Sequence, residues 1–165
     1  MLRNPDDIDY IIIHCADTPN GVDYNIIDID GWHKERGFER TSSARQAHRE
    51  DLCSVGYHAV VYVDGAIAWG RAPDEIGAHA KGYNTRSLGV CLIGRDAYTP
   101  LQWDSLNKVV EDWRDMHPIV AIIGHNEINK DKTCPGFDVE AWIDGGRKPL
   151  EGHICALKPR SGGVI

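Results

Sequence analysis

Apolar and polar positions follow one another along this chain in short blocks, each with its own period. The run DYIIIHC, residues 9–15, is apolar and bounded by polar residues, and it predicts a buried strand with His14 at its C-terminal end. In IIDIDGWHKERG, residues 26–37, Ile29, Trp32 and His33 fall on one helical face, and Gly37 stands where a helix stop is expected. Residues 39–52, ERTSSARQAHREDL, are polar without an apolar period and predict a long loop or a surface helix. YHAVVYVDGAIAW, residues 57–69, predicts a β-hairpin turning at Asp64-Gly65, a pair that tolerates positive φ. SLGVCLIG (87–94) and IVAIIG (119–124) predict two more buried strands, the second ending just before His125.

The clearest helix begins at Thr99. Thr99 is a good N-cap, Pro100 falls at the first helical position, and Gln102 completes a capping box. Leu106, Val109, Val110 and Trp113 then form one apolar stripe. FDVEAWI, residues 137–143, predicts a short last helix. At least four strands and three helices imply an α/β or α+β fold with one central sheet covered by helices. No internal repeat and no second domain are visible. The expected organisation is a domain over 1–144 and an irregular Gly- and Pro-rich tail over 145–165.

Composition narrows the picture. A chain of 165 residues suits one domain with a sizeable core. The net charge of −7 argues against nucleic acid as the main partner, because phosphate binding needs a basic surface. No apolar run is long enough for a membrane span, so no membrane insertion is expected. The N-terminus has no signal-peptide core, so synthesis and residence in the cytoplasm are expected. Five cysteines, an odd number without a CxxC pair, favour thiols or metal ligands over a disulfide framework.

The chemistry turns on KDKTCPGFD, residues 130–138. Cys134 could be a buried filler, half of a disulfide, or a metal ligand. His14, His125 and Cys134 would make a three-ligand zinc set with a fourth position open to water. The His-x8-Cys spacing is not diagnostic, and His14 lies far away in sequence. The alternative is a hydrogen-bonded strand-end histidine and a small buried thiol. Two features favour the metal: His125 and Cys134 share one short polar segment, and both histidines follow strands, where open sheets place ligands.

Taken together, IIIHCADT, GWHKERGF, VGYHAVVYVDGAIAWGR, GAHAKGYNTRSLGVCLIG, the helix opening TPLQ, and GHNEINKDKTCPGFD carry a resemblance. In this order, from about residue 9 to residue 143, they resemble the zinc-dependent N-acetylmuramoyl-L-alanine amidases, especially small single-domain phage endolysins. Peptidoglycan recognition proteins share that fold. The resemblance implies a mixed central sheet flanked by helices, with one zinc ion in a surface cleft held by His14, His125 and Cys134. It implies hydrolysis of the amide between N-acetylmuramic acid and L-alanine in bacterial peptidoglycan, by a monomer. Water is a poor nucleophile and an amide a poor electrophile, and zinc helps with both.

Further roles follow from the same resemblance. Lys132, two residues before Cys134, would stabilise the developing oxyanion, and Tyr57 would orient the attacking water. His79 and Asn84 would touch the peptide or sugar. His33 and His58 read as structural neighbours, His48, His117 and His153 as surface residues, and Cys15 and Cys91 as buried thiols; Cys53 and Cys155 have no assigned role. The alternatives are a muropeptide-recycling amidase of the cytoplasm and a peptidoglycan-binding protein without catalysis. The chain departs from small phage amidases at residues 39–52, which look inserted. Arg40, Arg45 and Arg49 there are expected to edge the cleft and meet stem-peptide carboxylates; a solvated surface loop is the other reading. The absence of a second, wall-binding domain resembles endolysins aimed at thin Gram-negative walls, whose release needs a separate membrane-permeabilising protein.

Overall fold

In the computed structural model, which describes residues 1–118 and 120–160, the sheet is built outward from one strand. β1 (Tyr10–Cys15) pairs in parallel with β4 (Ser87–Leu92) on one side and with β5 (Ala121–Gly124) on the other. β2 (Ala59–Val61) lies parallel beside β4, and β3 (Ile67–Trp69) closes the far edge antiparallel to β2. The order is β3-β2-β4-β1-β5, a mixed sheet as expected. The strand expected over 119–124 begins at Ala121, and Ile119 lies outside the described residues. The hairpin turns at Asp64-Gly65 as expected, with Gly65 at φ +86° and the Ala66 N–H donating to Asp64 Oδ1.

Strand alternation sends side chains to two layers. Ile11, Ile13, Ala59, Val61, Leu88, Val90 and Leu92 face a core with Trp103, Leu106, Val109, Val110 and Trp113 of α3 (Pro100–Met116) and Val139 and Trp142 of α5 (Val139–Asp144). Val60, Cys91 and Ile93 face the opposite layer, with Ile26 and Ile29 of α1 (Ile26–Glu35) and Leu52 and Val55 behind them. The α3 start has the Thr99–Gln102 capping box and Pro100 at the first turn, and its predicted stripe is buried. α1 is capped by a box between Asn25 and Asp28 and ends at Glu35, two residues before Gly37, which takes φ +78°. Ile29 and His33 are buried, whereas Trp32 is exposed.

Residues 39–52 correct the sequence expectation. They contain the short, largely exposed helix α2 (Ser42–Ala47), one of the two forms expected, but none of them borders the cleft described below, where they were expected. Arg40 is buried, and its guanidinium is the centre about which the segment folds. It donates to the Glu75 carboxylate at 2.8 and 3.0 Å and to the carbonyls of His48, Arg49 and Leu52 at 2.7, 2.7 and 2.8 Å. Arg45 donates to Glu50 O, and Arg49 to Asp51 and Trp69 O. Backbone carbonyls that would otherwise need water are satisfied by one cation, so the segment is a surface element folded about Arg40 and not a cleft wall.

The chain beyond α5 carries no further helix or strand through residue 160, but it is pinned to the body. Isolated bridges join Ile154 to Tyr98 and Lys158 to Val22. His153, expected at the surface, bonds Asp96 O through Nδ1 and accepts at its carbonyl from Trp103 Nε1. Residues 161–165 of the expected tail lie outside the described residues.

Candidate active site

The parallel pairing of β1 with β5 decides where the histidines go. Ile13 is opposite Gly124, so one step further sets His14 abreast of His125, the first residue of α4 (His125–Ile128). Their ring centroids are 4.5 Å apart. Cys134 returns on the loop after α4. The Asn126 N–H donates to Cys134 O at 2.8 Å, and the Tyr98 hydroxyl donates to Pro135 O at 2.6 Å, which fixes the loop against the sheet end. The ligating atoms of His14, His125 and Cys134 all lie within 4.8 Å of one another.

This donor set fits a metal ion. Two imidazoles and a sulfur converge at the lining of a cleft, and three such protein ligands are the number a catalytic zinc site uses. Burial, then the nearby His125, holds the His14 pKa well below 6.5, and burial, then Lys132, lowers that of His125. Both rings therefore offer lone pairs at neutral pH. The Cys15 N–H points at Cys134 Sγ from 3.0 Å. Without a cation, the hydrogen bond to the Cys15 thiol, then burial, keeps Cys134 as a neutral thiol, so metal binding must release that proton.

The three residues lie in a cleft of about 850 Å³. Tyr57 also lines it, its ring 5.1 Å from that of His14. Burial pushes the Tyr57 pKa well above 10, so the hydroxyl stays an O–H donor. Lys132 is exposed on the cleft rim, its N–H bonded to Asn129 O at 3.0 Å. Trp32, Arg36 and Phe38 line the side nearest α1, with the Arg36 guanidinium 4.6 Å over the Phe38 ring. The structure thus brings all five of the residues expected to bind metal or catalyse to one cleft.

His79 and Asn84 border the same cleft, with both ring nitrogens of His79 and the Oδ1 of Asn84 engaged inside the protein. Asn84 Oδ1 accepts the N–H groups of His79 and Ala80, both at 2.9 Å. His79 Nδ1 lies 2.8 Å from His14 Nε2, and His79 Nε2 lies 3.3 Å from Ser87 Oγ. Cys15 and Ser87 took no part in the site as read from the sequence. Each acts through a neighbour, by a backbone N–H or a buried hydroxyl, and no motif marks such roles.

His33 lines the cleft beside Tyr57, and His58 stands outside the lining. His33 Nδ1 accepts the Gly56 N–H at 2.8 Å. His58 Nδ1 accepts from Gly89 N at 3.1 Å, while its Nε2–H donates to Glu75 O at 2.8 Å. Protonation would place a second donor against a backbone N–H, and burial already lowers the two pKa values to about 4 for His33 and about 3 for His58. Between pH 6.5 and those values the unfolded chain binds more protons than the folded one. Stability should therefore fall as pH drops through that window, by up to about 1.4 kcal/mol per pH unit for each group. Urea unfolding of chelator-treated protein at pH 7, 6, 5 and 4 tests this, with His58→Gln flattening part of the slope. A profile that is level down to pH 4.5 would contradict it.

Comparison with known proteins agrees with this architecture. The sequence profile of the N-acetylmuramoyl-L-alanine amidase family matches residues 4–137. The chain is 35% identical to the endolysin of Enterobacteria phage K11 over 142 residues, covering 81% of this chain and 84% of that one. It is 32% identical to the endolysin of Escherichia phage T7 over 150 residues, covering 86% and 89%. The N-acetylmuramoyl-L-alanine amidase LysC from Clostridium intestinale shares the fold with a TM-score of 0.69 at 24% identity, covering 88% of this chain and 90% of that chain. With its sheet, its cleft and most of its length accounted for in this way, the chain belongs to the N-acetylmuramoyl-L-alanine amidase family.

Proposed function

We propose that this amidase is zinc-dependent and acts on bacterial peptidoglycan as an endolysin. The observation that carries the reading is the convergence of His14, His125 and Cys134 beneath a cleft that also holds Tyr57 and Lys132. The named relatives from phages K11 and T7 are endolysins, which supports the biological setting. No described helix is long and apolar enough to cross a membrane.

His14 and His125 supply neutral imidazoles and Cys134 a thiolate, which together would hold one zinc ion. When bound, zinc would raise the acidity of water and polarise the scissile carbonyl. The Tyr57 hydroxyl, protonated at neutral pH, orients the attacking water by a hydrogen bond. The Lys132 ammonium faces the cleft from its rim and offsets negative charge as the carbonyl oxygen becomes an oxyanion. His79 and Asn84 shape the wall, and the amide nitrogen of Asn84 is the group of the two that would reach peptide or sugar.

Tyr57→Phe and Lys132→Ala separate catalysis from metal holding. Each should keep zinc and the wild-type melting profile while losing turnover, by on the order of 10²–10³ for Lys132. Wall hydrolysis at the wild-type rate by Lys132→Ala would make that side chain a bystander. Activity on soluble anhydro-muropeptides but not on intact sacculi would move the enzyme from lysis to recycling.

A further inference from the structure

The cleft wall contains a chain of three side chains whose order of proton donation can be worked out from its buried end. Ser87 is fully buried on β4, and its Oγ is 2.8 Å from Tyr83 O. A carbonyl can only accept, and a hydroxyl has one proton, so the Ser87 hydroxyl donates there. Its lone pairs are then what faces His79 Nε2 at 3.3 Å, and that nitrogen carries the ring proton. In a neutral imidazole the other nitrogen is bare. His79 Nδ1 is therefore an acceptor, and the group 2.8 Å away must be His14 Nε2–H. The nitrogen of His14 left with a free lone pair is Nδ1.

Two glycines make room for this arrangement. A Cβ on Gly89 would sit 2.7 Å from the His79 ring, and one on Gly77 would sit 2.6 Å from it. Asn84 holds the His79 backbone from the other side, through the His79 N–H. The His79 ring stands edge-on to His14, at 85° and 4.9 Å between centroids, so it fixes the direction of the His14 ring as well as its proton.

We propose that His79, set by Ser87, is a positioning residue that locks His14 in the tautomer whose bare Nδ1 is presented to the metal. This rests on the zinc reading for its purpose, but the tautomer belongs to the chain itself. A metal-ligating histidine commonly gives its other ring N–H to a fixed partner, and removing that partner costs 10–100-fold in metal affinity or activity. Here the partner is a second imidazole, which works only because Ser87 fixes which way round it accepts.

The test has two readouts. In chelator-treated wild-type protein with ¹⁵N-labelled histidine, long-range ¹H–¹⁵N correlation spectra at neutral pH should show His14 protonated at Nε2 and bare at Nδ1, and His79 likewise. Zinc affinity, measured by competition with a chromophoric chelator, should fall about 10–100-fold in His79→Ala. It should return to within a few-fold of wild type in His79→Asn, whose Oδ1 can accept from the same position. His14 protonated at Nδ1 in the wild type, or unchanged zinc affinity in His79→Ala, would overturn the proposal. The spectrum needs neither a variant nor the metal, so a protein that binds no zinc would refute the zinc reading while leaving the tautomer assignment to be decided separately.

Discussion

Cys134→Ala protein should fold, bind no zinc after dialysis, and hydrolyse peptidoglycan slower than wild type by roughly three orders of magnitude or more, at least the scale on which losing one transition-state contact acts. The side chain is half-buried at the cleft rather than in the middle of either core layer, so its truncation removes little packing. What it removes is the one sulfur of the donor set. Two imidazoles alone make a weak zinc site, and the Cys15 N–H aimed at the sulfur would be left facing a methyl group. Cys134→Asp is the informative companion. Its carboxylate can accept the same N–H and ligate zinc, so it should recover part of the metal and part of the turnover. Zinc content by mass spectrometry, with the melting profile beside it, separates loss of metal from loss of fold. A zinc-free Cys134→Ala with wild-type turnover would remove the metal from the mechanism.

The second large effect lies away from the cleft. Arg40→Ala should cost about 3–5 kcal/mol of stability, because it leaves a buried carboxylate without its partner. Glu75 is 1% exposed, and its remaining cation, Arg71, is 3.6 Å away. Three backbone carbonyls of the 39–52 segment lose their donor in the same step. Pairing Arg40→Met with Glu75→Gln should recover part of the loss, since the buried carboxylate is gone and Arg71 keeps the carbonyls of Val55 and Ile76. Urea unfolding measures both. The folded fraction of each variant should hold zinc as wild type does, because no residue of 39–52 borders the cleft. A change under about 1 kcal/mol in Arg40→Ala would mean that water reaches Glu75, against its burial here.

Those two residues also mark what the sequence could and could not convey. Local physics was legible. Thr99, Pro100 and Gln102 specify a helix start within four residues, and the stripe from Leu106 to Trp113 follows from one period. The convergence of His14 with His125 was legible only as a condition, that two buried strands be parallel neighbours. The β1–β5 pairing meets it, but strand partners are chosen by the whole sheet rather than by either strand. Arg40 misled because a buried arginine and a surface arginine look alike in a polar stretch. Its carboxylate partner lies 35 residues away. His79 borders the cleft as expected, but that its ring nitrogens meet His14 and Ser87 has no local signal in the sequence. Which way its ring turns depends on the space left by Gly77 and Gly89 and on a hydroxyl in a neighbouring strand.

On the function proposed above, His14, His125 and Cys134 hold the zinc used to cut the bond between N-acetylmuramic acid and L-alanine. The most direct test of this is a digest of purified peptidoglycan by wild-type protein, by chelator-treated protein, and by chelator-treated protein given back one equivalent of zinc. The products are read by mass spectrometry for new alanine N-termini. The expected result is free stem peptides beginning with alanine in the first and third digests and none in the second. Stem peptides released equally in all three, or products cut between sugars or within the peptide, would contradict it.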